Sequence, residues 1–138
     1  TIRKETVDQI IEDLFEIENI LEKKDTLVIV SLDDPNDTIT EKIRYEFDSS
    51  GIHIIIRSLN RIQFNILNHT LVPPATILNE TEIQELKRQY NLEDLSRLQE
   101  ISRFDQQALC LCLRPGQVIK INRNSDTALE YINYRVCV

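Results

Sequence analysis

The stretch LRPGQVIKINRNSDTALEYINYRVCV (residues 113–138) predicts two strands and the turns that frame them. Residues 114–117 match a type II turn, because proline presets φ at the first central position and glycine supplies the positive φ at the second. Residues 117–123 and 131–138 are rich in β-branched and aromatic side chains, which is typical of strands. The polar residues between them predict a turn with one helical turn over 127–130. We therefore expect an ordered strand at the carboxyl end.

Alternation along the last strand predicts which of its side chains share a face. One face carries Ile132, Tyr134, Val136 and Val138, and the other carries Tyr131, Asn133, Arg135 and Cys137. We expect the two tyrosines to pack in the core and at its rim, since a tyrosine buries a large apolar ring while its hydroxyl stays hydrated.

Short helices are predicted upstream of these strands. Asn79 and Glu82 match a capping box, in which each side chain accepts from the other residue's backbone amide. They predict a helix over residues 80–90 with Ile83, Leu86 and Tyr90 on its inner face. A second short helix is expected over 92–98. The alternating segment ALCLCL (108–113) could by itself form a strand.

The first half of the chain predicts an α/β arrangement. Helix, strand, helix, strand and strand follow one another over residues 6–24, 26–32, 39–47, 52–57 and 61–67. The continuous apolar run of the first strand predicts burial on both faces. Asp37 or Thr38 is expected to cap the second helix. Consecutive prolines at 73 and 74 exclude a helix there, so we expect the domain boundary at 68–74.

Composition and charge exclude several classes of protein. Hydrophobic residues make up 41% and charged residues 28% of the chain, as in ordinary globular proteins. Residues 1–68 hold 8 Lys/Arg against 14 Asp/Glu (net −6), and residues 69–138 hold 8 against 9 (net −1). Strong nucleic-acid binding needs a clustered basic surface, which this distribution lacks. No apolar run approaches the roughly 18 residues of a membrane-spanning helix. Because methionine is absent, we expect a preceding segment outside this sequence.

The three cysteines, Cys110, Cys112 and Cys137, predict reduced thiols in an intracellular compartment, since their number is odd and no secretory signal opens the chain. The CxC spacing without a nearby histidine argues against zinc. We expect buried thiols that act as small hydrophobic groups. No cofactor or metal is predicted.

An enzymatic alternative rests on Asp33, Asp34 and Glu41. Carboxylates after a buried strand can hold Mg²⁺ in a nuclease-like site, but a solvated acidic loop is the simpler interpretation. No lysine stands at a nearby strand position to complete such a site. His69 has no nucleophile paired with it, and His53, which alternates within a predicted strand, is most simply a surface or pocket residue. No catalytic residue is predicted. A further alternative is a free-standing acidic adaptor that binds protein partners.

Four segments in fixed order carry a resemblance to a known family. They are HTLVP (69–73), ELKRQY (85–90), GQVIKI (116–121) and RNSDTA (123–128), followed by Tyr131, Tyr134 and Arg135. Together they resemble the C-terminal assembly domain of the fifth subunit shared by the eukaryotic nuclear RNA polymerases, and the archaeal counterpart of that subunit. The resemblance implies an α+β protein of two small domains. Residues 1–68 would be an α/β jaw domain, incomplete at its start, and residues 69–138 a mixed-sheet assembly domain with two to three short helices.

The chain departs from the family pattern at several positions. Gln106 replaces a proline, Asp126 replaces a glutamate, and Cys112 and Leu129 replace glycines. The resemblance implies a short helix from Asp105, its N-cap, to about residue 111, so that Cys112 would adopt a left-handed conformation at a cost of about 1–2 kcal/mol. These departures suggest a distant homologue, of cellular or viral origin.

The resemblance implies a non-catalytic subunit that binds the largest polymerase subunit and its neighbours and forms part of the lower jaw near downstream DNA. The residues it assigns to partner binding are His69, Leu71, Val72, Pro73, Arg123, Ser125, Asp126, Thr127, Tyr131, Tyr134 and Arg135. Arg123 and Arg135 are expected to make polar anchors, since arginine forms bidentate contacts. The alternative is that both hold the domain's own turn through Asp126.

His69 is expected at the junction of the two domains. Arg57 and Arg61 are the candidates for a position near DNA. The net charge of residues 1–68 predicts that DNA binding by the isolated chain is weak and strongly salt-dependent. The resemblance implies a nuclear location for a cellular eukaryotic member, and a virion or cytoplasmic viral factory for a viral one.

Overall fold

A computed structural model describes residues 3–18, 20–125, 127 and 129–138 of the chain. The chain forms two compact units, Thr1–Phe64 and Asn65–Val138. Each unit combines helices with its own small sheet, so the predicted α+β class is confirmed. Asp126 and Ala128 lie outside the described residues, and with them part of the helical turn predicted over 127–130.

The described residues of the first unit form a two-stranded sheet and three α-helices. In chain order its elements are α1 (Lys4–Ile11) with a π-helical continuation (Glu12–Ile17), β1 (Thr26–Ser31), α2 (Asp37–Ser50), β2 (His53–Ser58) and α3 (Leu59–Ile62). β1 and β2 pair in parallel, from Thr26 opposite His53 to Ser31 opposite Ser58. Parallel neighbours need a crossover connection, and α2 provides it.

Helix α2 is fixed at both ends and along its length. The Asn36 side chain accepts from the Ile39 amide at 3.0 Å, so the cap is Asn36 and the prediction of Asp37 or Thr38 was wrong. Gly51, at φ 75°, ends the helix in the left-handed conformation that glycine adopts without strain. Lys42 Nζ lies 2.7 Å from a carboxylate oxygen of Asp8 and also 2.7 Å from one of Glu46, which connects α2 to α1.

Two further predictions, one at each end of this unit, were wrong. The helix predicted to residue 24 ends at Ile17, because the amides of Ile20 and Leu21 both bond to the Leu14 carbonyl and fold the chain back. The strand predicted over 61–67 is instead α3 followed by a 3₁₀ turn (Ile66–Asn68). The Asn65 side chain accepts from the Leu67 amide at 3.0 Å, a local bond that competes with strand pairing.

Strand β1 also differs from the prediction of burial on both faces. Val28 and Val30, on one face, are 46% and 54% exposed. The sheet formed by the described residues of the first unit has two strands, and these two side chains are only about half covered. By contrast β2 is almost wholly buried. The continuous apolar run therefore predicted the strand correctly, but it did not predict that one face of the strand is about half exposed.

The second unit is built on a four-stranded mixed sheet. Its elements after the 3₁₀ turn are β3 (Ala75–Ile77), α4 (Glu80–Tyr90), a second 3₁₀ turn (Leu95–Arg97), β4 (Gln99–Ile101), α5 (Gln106–Cys110), β5 (Val118–Arg123) and β6 (Tyr131–Cys137). The strand order is β3-β5-β6-β4. β5 pairs antiparallel with β3 and β6, whereas β4 and β6 are parallel.

Both faces of this sheet carry a core. One cluster consists of Ile101, Ala108, Leu113, Ile119, Ile121 and Cys137. The other consists of Leu86, Val118 and Val136, with Ile83, Leu95 and Tyr134 among the partly buried neighbours. Val136 and Cys137 are adjacent in sequence and enter different clusters, which confirms the predicted alternation of the last strand. Burial raises the pKa of the Cys137 thiol to about 11, so it remains protonated near neutral pH.

Local sequence signals in this unit were accurate. Asn79 Oδ1 accepts from the Glu82 amide at 2.9 Å, and Glu82 Oε2 accepts from the Asn79 amide at 2.8 Å, so the capping box is confirmed. Asp105 caps α5 by accepting from the Gln107 amide at 2.9 Å. Cys112 adopts φ 51°, as the resemblance implied.

The turn at 114–117 also matches its prediction. Gly116 has φ 87°, and the Gln117 amide bonds to the Arg114 carbonyl at 3.1 Å. Strand β5 begins directly after this turn. The positive φ explains why glycine stands here, since other residues reach that conformation only with strain.

Other predictions for the second unit need correction. The helix predicted over 92–98 is only the 3₁₀ turn, and it leads into the unpredicted strand β4. Strand β4 was not predicted because its three residues are too few to show alternation. Its partner strand β6 also lies far along the chain. Tyr90 is about half exposed rather than internal, and Cys112 is exposed rather than buried.

Candidate docking site

The β5–β6 hairpin brings together side chains from its two strands. Arg123 lies opposite Tyr131, and Ile119 opposite Arg135, so all four are on one face of the sheet. Asn133 lies between the two arginines on the same face. We call Arg123, Tyr131, Asn133 and Arg135 the polar strip. Its ends are four residues apart along the strands, or about 13 Å at roughly 3.3 Å per residue.

The two arginines are held differently. Arg135 Nη1 lies 3.5 Å from the Glu100 carbonyl, a long bond, and its Nε is buried without an acceptor among the described residues. Arg123 is exposed and forms no ion pair with the residues that the structure describes. The alternative partner for both, Asp126, lies outside those residues. Both guanidinium groups thus retain unused hydrogen-bond donors within the described part of the chain.

A groove of about 640 Å³ adjoins the strip. Residues 70–74 line one side and residues 122–124 the other, so Arg123 belongs to both features. Leu71, Val72 and Pro73, which the resemblance assigned to partner binding, all line it. Leu71 is 85% exposed.

His69 organises the turn that presents Leu71. Its Nδ1 accepts from the Leu71 amide at 3.1 Å, and its carbonyl accepts from the Val72 amide at 2.9 Å. Farther along, Gln107 Nε2 donates to the Pro73 carbonyl at 2.9 Å. The groove wall is therefore fixed by hydrogen bonds within the unit, and His69 contributes by accepting from two backbone amides.

Asn122 is a residue that sequence reasoning missed. It lines the groove, and its Oδ1 atom is buried without a hydrogen-bond donor among the described residues. Buried polar atoms are rarely left unpaired, so each exception calls for an explanation. Its position in β5, next to Arg123 and on the opposite face, could have been read from alternation. The sequence could not show that no described residue donates a hydrogen bond to its Oδ1 atom.

The remaining predicted residues lie elsewhere. Tyr134 is on the other face of the sheet, where its ring meets Tyr90 edge-on at 5.9 Å between centroids. Burial, and then the neighbouring Tyr90, raise the pKa of Tyr134, which is consistent with a packing role. Ser125 and Thr127 bond to each other in the turn after β5, with the Thr127 amide 3.3 Å from Ser125 Oγ.

The acidic loop of the first unit is paired with an arginine. A magnesium site would instead need its carboxylates as metal ligands. Arg61 donates to both carboxylate oxygens of Asp34, from Nε at 2.8 Å and from Nη2 at 3.0 Å. This bidentate bond lowers the pKa of Asp34 and raises that of Arg61. Among the described residues, no three His, Cys, Asp or Glu side chains are grouped so that they could hold a metal ion.

The two arginines predicted near DNA differ in their surroundings. Arg61 is exposed and paired with Asp34. Arg57 is half-buried on β2, and its Nε is enclosed without an acceptor in the part of the chain that the structure describes. They do not form a basic patch, since Asp33 and Asp34 lie in the loop that Arg61 contacts. None of the described helices is long and apolar enough to cross a membrane.

Comparison with known proteins identifies relatives of the second unit. The sequence model of the family described as "RNA polymerase Rpb5, C-terminal domain" matches residues 64–137. This range nearly coincides with the second compact unit, Asn65–Val138.

Individual relatives agree with this match. The "DNA-directed RNA polymerase subunit Rpo5" of Thermococcus kodakarensis is 42% identical over 76 residues, which cover 55% of this chain and 92% of the relative. The same-named protein of Pyrococcus abyssi is 40% identical over 76 residues, again 92% of its length. The "DNA-directed RNA polymerases I, II, and III subunit RPABC1" of Caenorhabditis briggsae is 43% identical over 77 residues, 56% of this chain but only 36% of that protein.

Proposed function

The chain belongs to the family of the RNA polymerase Rpb5 C-terminal domain, and from this membership we propose that it is a non-catalytic, structural subunit of a multisubunit DNA-dependent RNA polymerase. The observation that carries the proposal is the 42% identity to an archaeal polymerase subunit over 92% of that subunit's length. Nearly the whole of that relative is thus matched by about half of this chain. In this role residues 69–138 act as the assembly domain and residues 1–68 as a jaw domain.

The proposed partner is the largest polymerase subunit, bound through the polar strip. Support comes from the common face of Arg123 and Arg135 and from the exposure of Arg123, which forms no ion pair within the described part of the chain. Arginine side chains with free donors on a rigid strand suit bidentate contacts to carboxylates and paired contacts to carbonyl groups. Tyr131, half exposed beside Arg123, adds an amphipathic ring of the kind enriched at interfaces.

The first unit is proposed to lie near downstream DNA as part of the lower jaw without gripping it. Its net charge of −6 repels phosphate, and Arg61 is already neutralised by Asp34. DNA contact is therefore weak and reaches the chain through the assembled polymerase. For a cellular eukaryotic member the proposed location is the nucleus, by analogy with a relative named for RNA polymerases I, II and III.

Binding of the full chain to the purified largest polymerase subunit from the same source tests this function. We expect stable capture by the wild type and loss of capture by Arg123→Ala/Arg135→Ala. A matched double variant, Arg88→Ala/Arg97→Ala, removes two arginines that lie outside the polar strip and should bind normally. Circular dichroism of every variant establishes that it is folded.

The outcomes separate the parts of the proposal. Capture by the wild type and by both double variants would keep the polymerase function and reject the arginine anchors. No capture of the largest subunit by the folded wild type would reject the proposed docking partner.

A further inference from the structure

We infer that the first unit docks a basic, apolar segment of another protein at the edge of its sheet where strands β1 and β2 both end. The surface that carries this inference consists of four exposed apolar side chains, Leu32, Leu59, Ile62 and Phe64, which we call the apolar edge. The inference goes beyond the proposed function, which gives the first unit a position near DNA and no protein ligand of its own. It is also independent of that function, because it can be tested on the chain alone.

The first two members of the apolar edge are neighbours across the sheet. Leu32 and Leu59 directly follow the last paired residues of the parallel strands β1 and β2. Two positions farther along both segments, Arg61 donates to both carboxylate oxygens of Asp34, so the segments remain adjacent beyond the sheet. Leu32 and Leu59 therefore lie side by side, between the strands and this hydrogen-bonded pair.

Helix α3 and the residues after it extend the apolar edge. Ile62 lies one helical turn after Leu59, so both side chains are on the same side of the helix. Phe64 is two residues farther on, which places its Cα atom within about 7 Å of that of Ile62. The exposed fractions are 70% for Leu32, 45% for Leu59, 39% for Ile62 and 62% for Phe64. Single exposed apolar residues are ordinary, whereas a contiguous group of them beside polar residues is typical of a protein-interaction surface.

Hydrogen bonds hold the backbone around the apolar edge in place. The Ser31 hydroxyl donates to the Asp33 carbonyl, and the Asn36 side chain caps helix α2. The bidentate bond between Arg61 and Asp34 joins the loop after β1 to α3. A surface whose backbone is already ordered loses little conformational freedom on binding, so more of the gain from apolar burial is available as affinity.

Charge determines the character of the bound segment. Asp33 and Asp34 follow Leu32 in the loop, and Asp37 begins α2. Together with Arg61, this rim of the apolar edge holds one cation against three carboxylates, a formal charge of −2. A segment that carries lysine or arginine beside leucine-sized side chains complements both the rim and the apolar edge.

The same charge argues against three other occupants. Phosphate groups of nucleic acids and of anionic lipids are repelled by the acidic rim and by the net charge of −6 on residues 1–68. A second copy of this chain would bring an identical acidic rim, so a two-fold contact through the apolar edge would place like charges together. The occupant that fits is therefore a different protein with a basic, apolar segment.

A synthetic amphipathic peptide of leucine and lysine is the probe, and fluorescence anisotropy measures its affinity for the full chain. The same peptide with glutamate in place of lysine is the charge control. We expect the lysine peptide to bind and the glutamate peptide not to bind. Leu32→Ala should weaken binding of the lysine peptide about tenfold, as expected for an important apolar interface residue. Asp33→Asn should weaken it about twofold and reduce its dependence on salt.

The second unit offers matched control variants. Leu129→Ala removes a side chain that is 93% exposed, and Glu130→Gln removes an exposed carboxylate next to it. Both variants should bind the lysine peptide as the wild type does, because neither residue belongs to the apolar edge or its rim. Circular dichroism of every variant establishes that it is folded.

Three results would overturn the inference. Equal binding of the lysine and glutamate peptides would reject the basic character of the occupant. Wild-type affinity of folded Leu32→Ala, or an equal loss in Leu129→Ala, would reject the apolar edge as the docking site. Binding of a DNA duplex that Leu32→Ala weakens would replace the protein occupant with nucleic acid. None of these measurements involves the largest polymerase subunit, so the proposed function stands or falls on its own test.

Discussion

Each of the two units contains a pair of parallel strands, and the two pairs differ in how fully their faces are covered. In the second unit β4 and β6 lie in a four-stranded sheet with a core on each face. In the first unit β1 and β2 stand alone, and Val28 and Val30 remain about half exposed. Parallel sheets normally have both faces covered, and two strands rarely suffice for independent stability. The stability of the chain should therefore be concentrated in the second unit.

Truncation of a core leucine should produce the largest effect and would test this difference directly. Leu113 is almost completely buried in the second unit's core. Leu113→Ala should lower the free energy of unfolding by about 2–5 kcal/mol, since it removes transfer free energy and leaves a cavity. Urea denaturation combined with hydrogen exchange, read separately for the two units, measures the loss.

The matched control for that variant is Leu32→Ala in the first unit. Leu32 is 70% exposed after β1, so its truncation should change stability by less than about 0.5 kcal/mol. Equal losses in the two variants would mean that the exposed leucine is buried in solution, and the contrast between the units would be lost.

The N-caps of α4 and α2 can be compared directly, because both capping residues are asparagines. Asn79 caps α4 and Asn36 caps α2, each by accepting a backbone amide near 3 Å. Asn79→Ala and Asn36→Ala should each cost about 1 kcal/mol. Asn79→Ala should cost the larger share, because it also breaks the reciprocal capping box with Glu82. Melting of each variant by circular dichroism tests the order, and a larger loss for Asn36→Ala would contradict it.

A smaller and opposite effect is expected at Cys112. Its φ of 51° is left-handed, which costs a side chain with a Cβ roughly 1–2 kcal/mol. Cys112→Gly should therefore stabilise the second unit, by somewhat less than this cost because glycine also loses more entropy on folding. Cys110→Gly, within helix α5, should destabilise it by about 0.5–1 kcal/mol. A lower melting temperature for Cys112→Gly would show that the thiol makes compensating contacts.

The difference between local patterns and long-range contacts explains which features the sequence could predict. The capping box at Asn79 and the turn at Gly116 are local patterns, and both occur as expected. Alternation also placed Tyr131, Asn133 and Arg135 on one face of the last strand. These features depend on residues within a few positions of one another, so their physical causes are visible in the sequence.

The features that the sequence did not predict depend on contacts between residues that are distant in the chain. Strand β4 exists only because it pairs with β6, and the exposed face of β1 reflects the small size of its sheet. Arg123 joins Tyr131 through the register of the hairpin, which no single segment determines. The unpaired Oδ1 of Asn122 likewise depends on what every neighbouring group can donate. The groove therefore became visible only once the second unit was assembled.

The smallest predicted effect belongs to the Asp34–Arg61 pair of the first unit. The hydrogen bond from Arg61 lowers the pKa of Asp34 in the folded state. A depressed folded pKa contributes stability above the unfolded value, 3.8, and this contribution disappears as the pH falls through the folded value. Asp34→Asn should therefore destabilise the chain slightly at neutral pH, and its difference from the wild type should vanish in acid.

Salt provides the control for this last prediction. The pair is exposed, so added salt should shrink the neutral-pH difference between Asp34→Asn and the wild type. Asp33→Asn changes the charge by the same amount without touching the bidentate bond to Arg61. Thermal melting of the three proteins across pH and salt separates the pair from general charge effects. If Asp33→Asn and Asp34→Asn behave alike, the bidentate geometry of the Asp34–Arg61 pair contributes no stability of its own.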